Sequence, residues 1–265
     1  MTGRLSEAFT RARSENRAAL VGYLPAGFPT VEGSIRAMQA MIEGGVDVLE
    51  IGLPYSDPLM DGPTIQEAVD IALARGVRTR DVLRVVAEVS AQVPTLVMTY
   101  WNPIERYGPA RFAADLASAG GIGVIAPDLV PEEAGVWLDA ARGTGLEPVF
   151  LVAPSSTDER IRVVGDVSRG FVYAASTMGV TGARTTVGSR AQELVGRVQA
   201  ITDLPVAVGL GVSTGDQAAE IAAYADGVIV GSAFVRALLD APDEAAGLQA
   251  VRTLAEQLAA GVRRR

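Results

Sequence analysis

Residues 46–66 read VDVLEIGLPYSDPLMDGPTIQ. An apolar, β-branched run of strand length comes first and is followed by a turn region in which Pro54, Pro58 and Pro63 restrict the backbone, while Gly62 permits a tight bend. Side chains alternate along a strand, so Val46, Val48 and Glu50 share one face and Asp47, Leu49 and Ile51 the other. A carboxylate set among Val, Leu and Ile marks this strand as different from one built only to pack.

The same kind of run recurs on both sides of it. AALVGYL (18–24), VDVLEIGL (46–53), TLVMTY (95–100), GIGVIAP (121–127), EPVFLVA (147–153), FVYAAS (171–176), PVAVGLG (205–211) and DGVIVGS (226–232) make eight candidate strands. Amphipathic stretches such as EGSIRAMQAMIEGG, RDVLRVVAEVSAQ, PEEAGVWLDAARG and TGDQAAEIAAYA lie between them, with Gly44, Gly120, Gly143 and Gly170 as expected helix stops. Alternating strands and helices at this spacing predict parallel βα units, and eight of them predict a single (β/α)8 barrel over 1–265. The other reading is an open doubly wound sheet. It calls for a dinucleotide fingerprint, and Gly209, Gly211 and Gly215 give only G-x-G-x-x-x-G, one residue off and late in the chain. RLSEAFTRARSEN precedes the first strand and is expected to be an extra helix closing the barrel bottom, and GVRTRD (76–81) is expected to separate two helices after the second strand.

Composition limits the chemistry. The 265 residues carry 23 basic side chains against 31 acidic ones, a net charge of -8, and all 23 bases are Arg; Lys, His and Cys are absent. A Schiff-base lysine, a lysine-held pyridoxal phosphate, a Walker-type loop, a Ser-His-Asp triad, a thiolate nucleophile and an ordinary zinc site are thereby excluded. Proton chemistry is left to Asp, Glu, Tyr or water. The acidic balance argues against a general nucleic-acid partner. No apolar run is long enough to span a membrane and no export signal is visible, so a cytoplasmic protein is expected.

Barrel enzymes place their chemistry where strands end and loops begin. With Leu49 and Ile51 under the helices, Glu50 points into the barrel near its top, where burial would raise its pKa toward a value useful for acid/base work. A structural Glu paired with an Arg or a backbone donor is the alternative. Asp57 and Asp61 follow on the loop, and spacing alone does not choose between catalytic and turn-forming roles. GLGVS (209–213) and GSA (231–233) end strands seven and eight, where small residues let backbone N–H groups approach a phosphate. STMGVTGARTT (176–186) has the length and composition of a lid, although an ordinary connection would look the same. Tyr173 stands just before it.

Taken in order, LEIGLPYSDPLMDGPTIQ (49–66), GVTGAR, GLGVS and VGSA resemble the signatures of the tryptophan synthase α subunits, over nearly the whole chain. The resemblance implies a barrel lyase that cleaves indole-3-glycerol phosphate to indole and D-glyceraldehyde 3-phosphate. It also implies an αββα assembly in which indole passes to a pyridoxal-phosphate-dependent β subunit, with no cofactor or metal in this chain. Glu50 matches the family's general acid/base and Asp61 its second catalytic acid. Tyr173 matches a tyrosine beside the substrate, and Thr181 and Gly182 match lid residues. Gly182, Gly211, Gly231 and Ser232 match phosphate-binding positions, and Tyr23, Ile65, Tyr100 and Leu210 match the walls around the indole. Phe28 stands where many members carry Asp, and Tyr23 and Leu210 where Phe is common; these departures bear on the packing around indole. YWNP (100–103) falls on the rim expected to face the β subunit. A regulatory barrel that mainly activates a β partner, and another phosphate-binding barrel isomerase, are the competing readings.

Overall fold

A computed structural model describes residues 4–175, 184–209 and 211–264, with 184–188 by backbone alone. Eight strands form: β1 (Ala19–Pro25), β2 (Val48–Gly52), β3 (Thr95–Met98), β4 (Gly123–Ile125), β5 (Leu151–Val152), β6 (Val172–Ala175), β7 (Val206–Gly209) and β8 (Gly227–Val230). All pairings are parallel, in the order β4-β3-β2-β1-β8-β7-β6-β5. The two ends of that order meet at a single bridge, Ile125 to Val149, which closes the cylinder. The chain is therefore a (β/α)8 barrel, and every expected strand overlaps an observed one, with β1 running one residue past its expected end to Pro25. β5 is the shortest because its first half is tied across the seam instead, with Glu147 N donating to Ile122 O at 2.7 Å and Val149 N to Val124 O at 3.1 Å.

The helices are α1 (Arg4–Ser14), α2 (Val31–Glu43), α3 (Pro63–Ala74), α4 (Thr79–Val89), α5 (Trp101–Tyr107), α6 (Pro109–Ser118), α7 (Gly135–Thr144), α8 (Asp158–Val167), α9 (Arg184–Ile201), α10 (Gly215–Ala222), α11 (Ser232–Leu239) and α12 (Glu244–Val262). GVRTRD does separate α3 from α4. Two stops differ from expectation: α8 ends at Val167 with Ser168 as its cap, before Gly170 is reached, and α7 continues through Gly143 and ends at Gly145, whose φ of 73° is left-handed and so suits a residue without a side chain. No helix of the described residues is long and apolar enough to cross a membrane.

Alternation along the strands divides the core in two. Val21, Val48, Leu96, Ile125, Ala207 and Ile229 fill the barrel, whereas Leu20, Leu49, Ile51, Val97 and Val208 pack outward against the helices. Val46 is a correction to the sequence reading: it lies before β2 begins and packs in the outer layer, not on the face of Val48 and Glu50. α1 stoppers the foot of the cylinder by burying Leu5, Ala8, Phe9 and Ala12 against the inner core, with the Phe9 ring 5.2 Å from Phe171. Burying Leu5 and Phe9 contributes about 1.5–3 kcal/mol each. Polar contacts fix its orientation: Arg4 donates to Ser90 O at 2.7 Å, Glu147 accepts from Leu5 N at 3.3 Å, and Arg13 pairs with Asp226 at 3.2 Å.

Beneath β1 and β2, the buried Arg17 guanidinium grips both oxygens of Asp47 at 2.6 and 2.9 Å, and Asp47 also accepts from Leu20 N. This clamp supports the register that sets Tyr23 beside Glu50.

Candidate active site

At the strand ends opposite α1 lies a cavity of about 210 Å³. β1 and β2 bring Tyr23 and Glu50 to it, the loop after β2 brings Met60 and Asp61, and α3 brings Ile65. β6 contributes Tyr173 and Ala175. Gly211 and the β8 exit, Gly231 and Ser232, complete the far end. Thr181, Gly182 and Leu210 lie outside the described residues, as does most of the expected lid, 176–183.

Glu50 points inward as alternation requires, because its neighbours Leu49 and Ile51 belong to the outer layer. It is 1% exposed, and its Oε2 has no hydrogen-bond partner among the described residues. An ionised carboxylate so placed loses its hydration without replacement. Burial, with the nearby Asp61 charge second, pushes its pKa up to about 8, so at neutral pH the group holds its proton. Among the described residues no Arg pairs with Glu50: the buried Arg17 is committed to Asp47, with Glu15 on its outer side.

Asp61 is distinguished from Asp57 by its surroundings. Asp57 is exposed and accepts a bond from Ser56 Oγ, outside the cavity lining. Asp61 turns inward and accepts a hydrogen bond from Tyr100 Oη at 3.1 Å, and the same phenol oxygen accepts from Met60 N at 3.0 Å. Burial raises the Asp61 pKa and the Tyr100 hydroxyl pulls it back. Tyr100 therefore braces Asp61 and the loop rather than lining the cavity. Its own place is fixed by the next residue, whose amide, Trp101 N, donates to both carboxylate oxygens of Asp128 at 2.9 and 3.0 Å. Gln66 Nε2 also holds the Asp61 carbonyl, at 2.7 Å.

The far end presents backbone groups and a helix start to the cavity. Gly211 has φ 61°, a left-handed conformation that favours glycine, and Gly231 is the residue before α11, so that Gly231 and Ser232 present the start of that helix to the cavity. First-turn amides have no partner within a helix, and the helix dipole adds positive potential there. Small residues are also needed for space: a Cβ on Gly209 would lie 2.6 Å from Tyr173 Oη. Among the described residues no group of three acidic side chains is arranged to hold a metal.

Met98, Leu151 and Ile229, which complete the apolar floor, were not singled out from the sequence. Each sits on an inward position of its strand, so strict alternation could have found them; Met60 carries no such signal because it lies on a loop.

A parallel barrel whose mouth pairs a proton-holding glutamate with a second carboxylate, across from a glycine-built anion cradle, belongs to the acid/base enzymes that act on phosphorylated ligands. Residues 9–263 match the family model for the tryptophan synthase alpha chain, and the chain belongs to that family. The alpha chain of Salinispora arenicola is 62% identical over 97% of this chain and 96% of its own, and that of Streptomyces avermitilis 60% identical over 98% and 94%. A solved Mycobacterium tuberculosis tryptophan synthase chain is similar with a TM-score of 0.92 and 56% identity, each chain covered to 99%. Tryptophan synthase subunit alpha from Legionella pneumophila keeps a TM-score of 0.90 at 31% identity, again with 99% of each covered.

Proposed function

We infer that this chain is a lyase of L-tryptophan biosynthesis that cleaves indole-3-glycerol phosphate to indole and D-glyceraldehyde 3-phosphate. The observation that carries the mechanism is the buried Glu50 carboxyl at the cavity, one oxygen of which has no partner among the described residues; its burial favours the protonated form at neutral pH. Cleavage begins when Glu50 gives its proton to indole C3, which places positive charge on the ring nitrogen. Asp61, as a carboxylate, holds the ring N–H and stabilises that charge. The Glu50 carboxylate then takes the proton of the hydroxyl on the carbon bonded to C3. That carbon becomes the aldehyde, the carbon–carbon bonding pair returns to the ring, and Glu50 ends protonated as it began. The phosphate sits against Gly211, Gly231 and Ser232, where backbone amides do what Lys would otherwise do.

On this reading the partner is a β subunit seated on the rim, in an αββα assembly in the cytoplasm. Leu59, 74% exposed on the loop that carries Asp61, and the exposed Val130 and Val136 offer apolar surface for that contact. Pyridoxal phosphate belongs to that partner, and no step proposed for this chain passes through it.

The test is indole release from indole-3-glycerol phosphate by the purified chain, with and without a β subunit and with a chelator present. Release that the chelator does not touch supports the lyase. No release in either case, together with faster β-subunit chemistry, would identify a regulatory barrel instead.

A further inference from the structure

In the sheet, β1 lies between β8 and β2. The anion cradle sits at the β8 exit and the proton-holding carboxyl on β2, so a ligand joined to both must cross the end of β1. The side chain standing there is Tyr23, in register with Glu50. Its ring starts against β8, where a Cβ on Gly231 would lie 3.1 Å from Cδ1, and its hydroxyl ends over β2, where a Cβ on Gly52 would collide with Oη. No described residue hydrogen-bonds this hydroxyl, although it faces a cavity, whereas the Tyr100 hydroxyl is engaged on two sides. A phenol oxygen that opens onto a cavity is available to pair with whatever the cavity holds.

We propose that Tyr23 is a further catalytic residue, whose hydroxyl donates a hydrogen bond to the substrate oxygen that becomes the aldehyde. The assignment rests on the lyase reading and deepens it. Of the ligand's parts, the indole lies toward Asp61 and the phosphate toward Gly231, which leaves the glycerol chain alongside the Tyr23 ring and its reacting hydroxyl at the tip. As Glu50 removes the proton from that hydroxyl, negative charge builds on the oxygen before the carbon–carbon bond has fully broken. A fixed donor there is worth more in the transition state than in the bound substrate. Tyr23 does not give up its own proton: burial first, then the Asp61 and Glu50 charges, hold its pKa well above the ordinary phenol value. It remains a donor throughout, and the proton count of the reaction is unchanged.

Tyr23→Phe keeps the ring and removes only the donor. Indole release should fall about tenfold in kcat, while binding of an indole-3-alkyl phosphate that has no hydroxyls on its chain should stay within twofold of the parent, because that ligand uses the wall and the cradle alone. Tyr23→Leu should weaken both. Unchanged kcat in Tyr23→Phe overturns the assignment, and so does an equal loss toward substrate and the hydroxyl-free ligand, which would mean a structural role. Absence of indole release by the parent would instead overturn the lyase reading beneath it.

Discussion

Glu50 couples the cost of burial to the chemistry of the site. Its pKa of about 8 stands above the ordinary 4.5, so between those values the unfolded chain has released a proton that the folded chain still holds. Stability is therefore highest below about pH 4.5 for this group, falls as pH rises toward 8, and is level beyond. Glu50→Gln removes that slope: thermal melting at pH 8.5 should favour the variant by about 4 kcal/mol relative to the same comparison at pH 4.5. Indole release should be lost in the same variant with substrate binding largely kept, and retained turnover would remove Glu50 from the mechanism. In the parent, the alkaline limb of kcat/KM should fall near pH 8, where the acid is spent. Tyr100→Phe acts on the other limb. It removes the hydroxyl that lowers the Asp61 pKa, so the acidic limb should move to higher pH, with about 1 kcal/mol lost from activity at neutral pH. Spacing could nominate Asp57 and Asp61 but could not choose between them, because what selects Asp61 is a phenol on a different strand exit, itself aimed by Asp128. Glu50 was legible because alternation is local.

Strands and helices were read well where their signals lie within one turn or one pleat. Seven of the eight strands fall inside their apolar runs and β1 overruns its own by one residue, Pro25, and α3 and α4 divide at GVRTRD as the break in pattern required. α5 escaped notice as a helix because seven residues directly after a strand give little period to detect. The Arg17–Asp47 clamp also escaped, since its partners lie 30 residues apart. Its value is testable at this scale. Arg17→Met leaves the buried Asp47 carboxylate with only the Leu20 amide and the Arg11 guanidinium at 3.7 Å, and chemical denaturation should report about 3 kcal/mol of lost stability; adding Asp47→Asn should recover part of it. No recovery would show that packing of the Arg17 stem, not the charge, is what matters.

The barrel as a whole closes at one place through an isolated bridge, where the other seven pairings are ladders of two or more residue pairs. β4 meets the chain before β5 through one bridge and the bonds flanking it, and Gly123 makes the approach possible because a Cβ there would collide with the Glu147 carbonyl. Gly123→Ala should cost about 3 kcal/mol or more, and hydrogen exchange should show the protection loss concentrated at the Glu147 and Val149 amides. Uniform loss across all strands would mean that the seam is not a separate weak point. Closure was legible only as arithmetic, eight units making a ring, whereas the thinness of the seam depends on where Glu147 passes in space.

The α1 stopper has a consequence for traffic. Among the described residues the foot is closed, so the mouth at the strand ends is the approach to Glu50. Anything seated on that rim would therefore control access to the buried carboxyl from outside, without touching it.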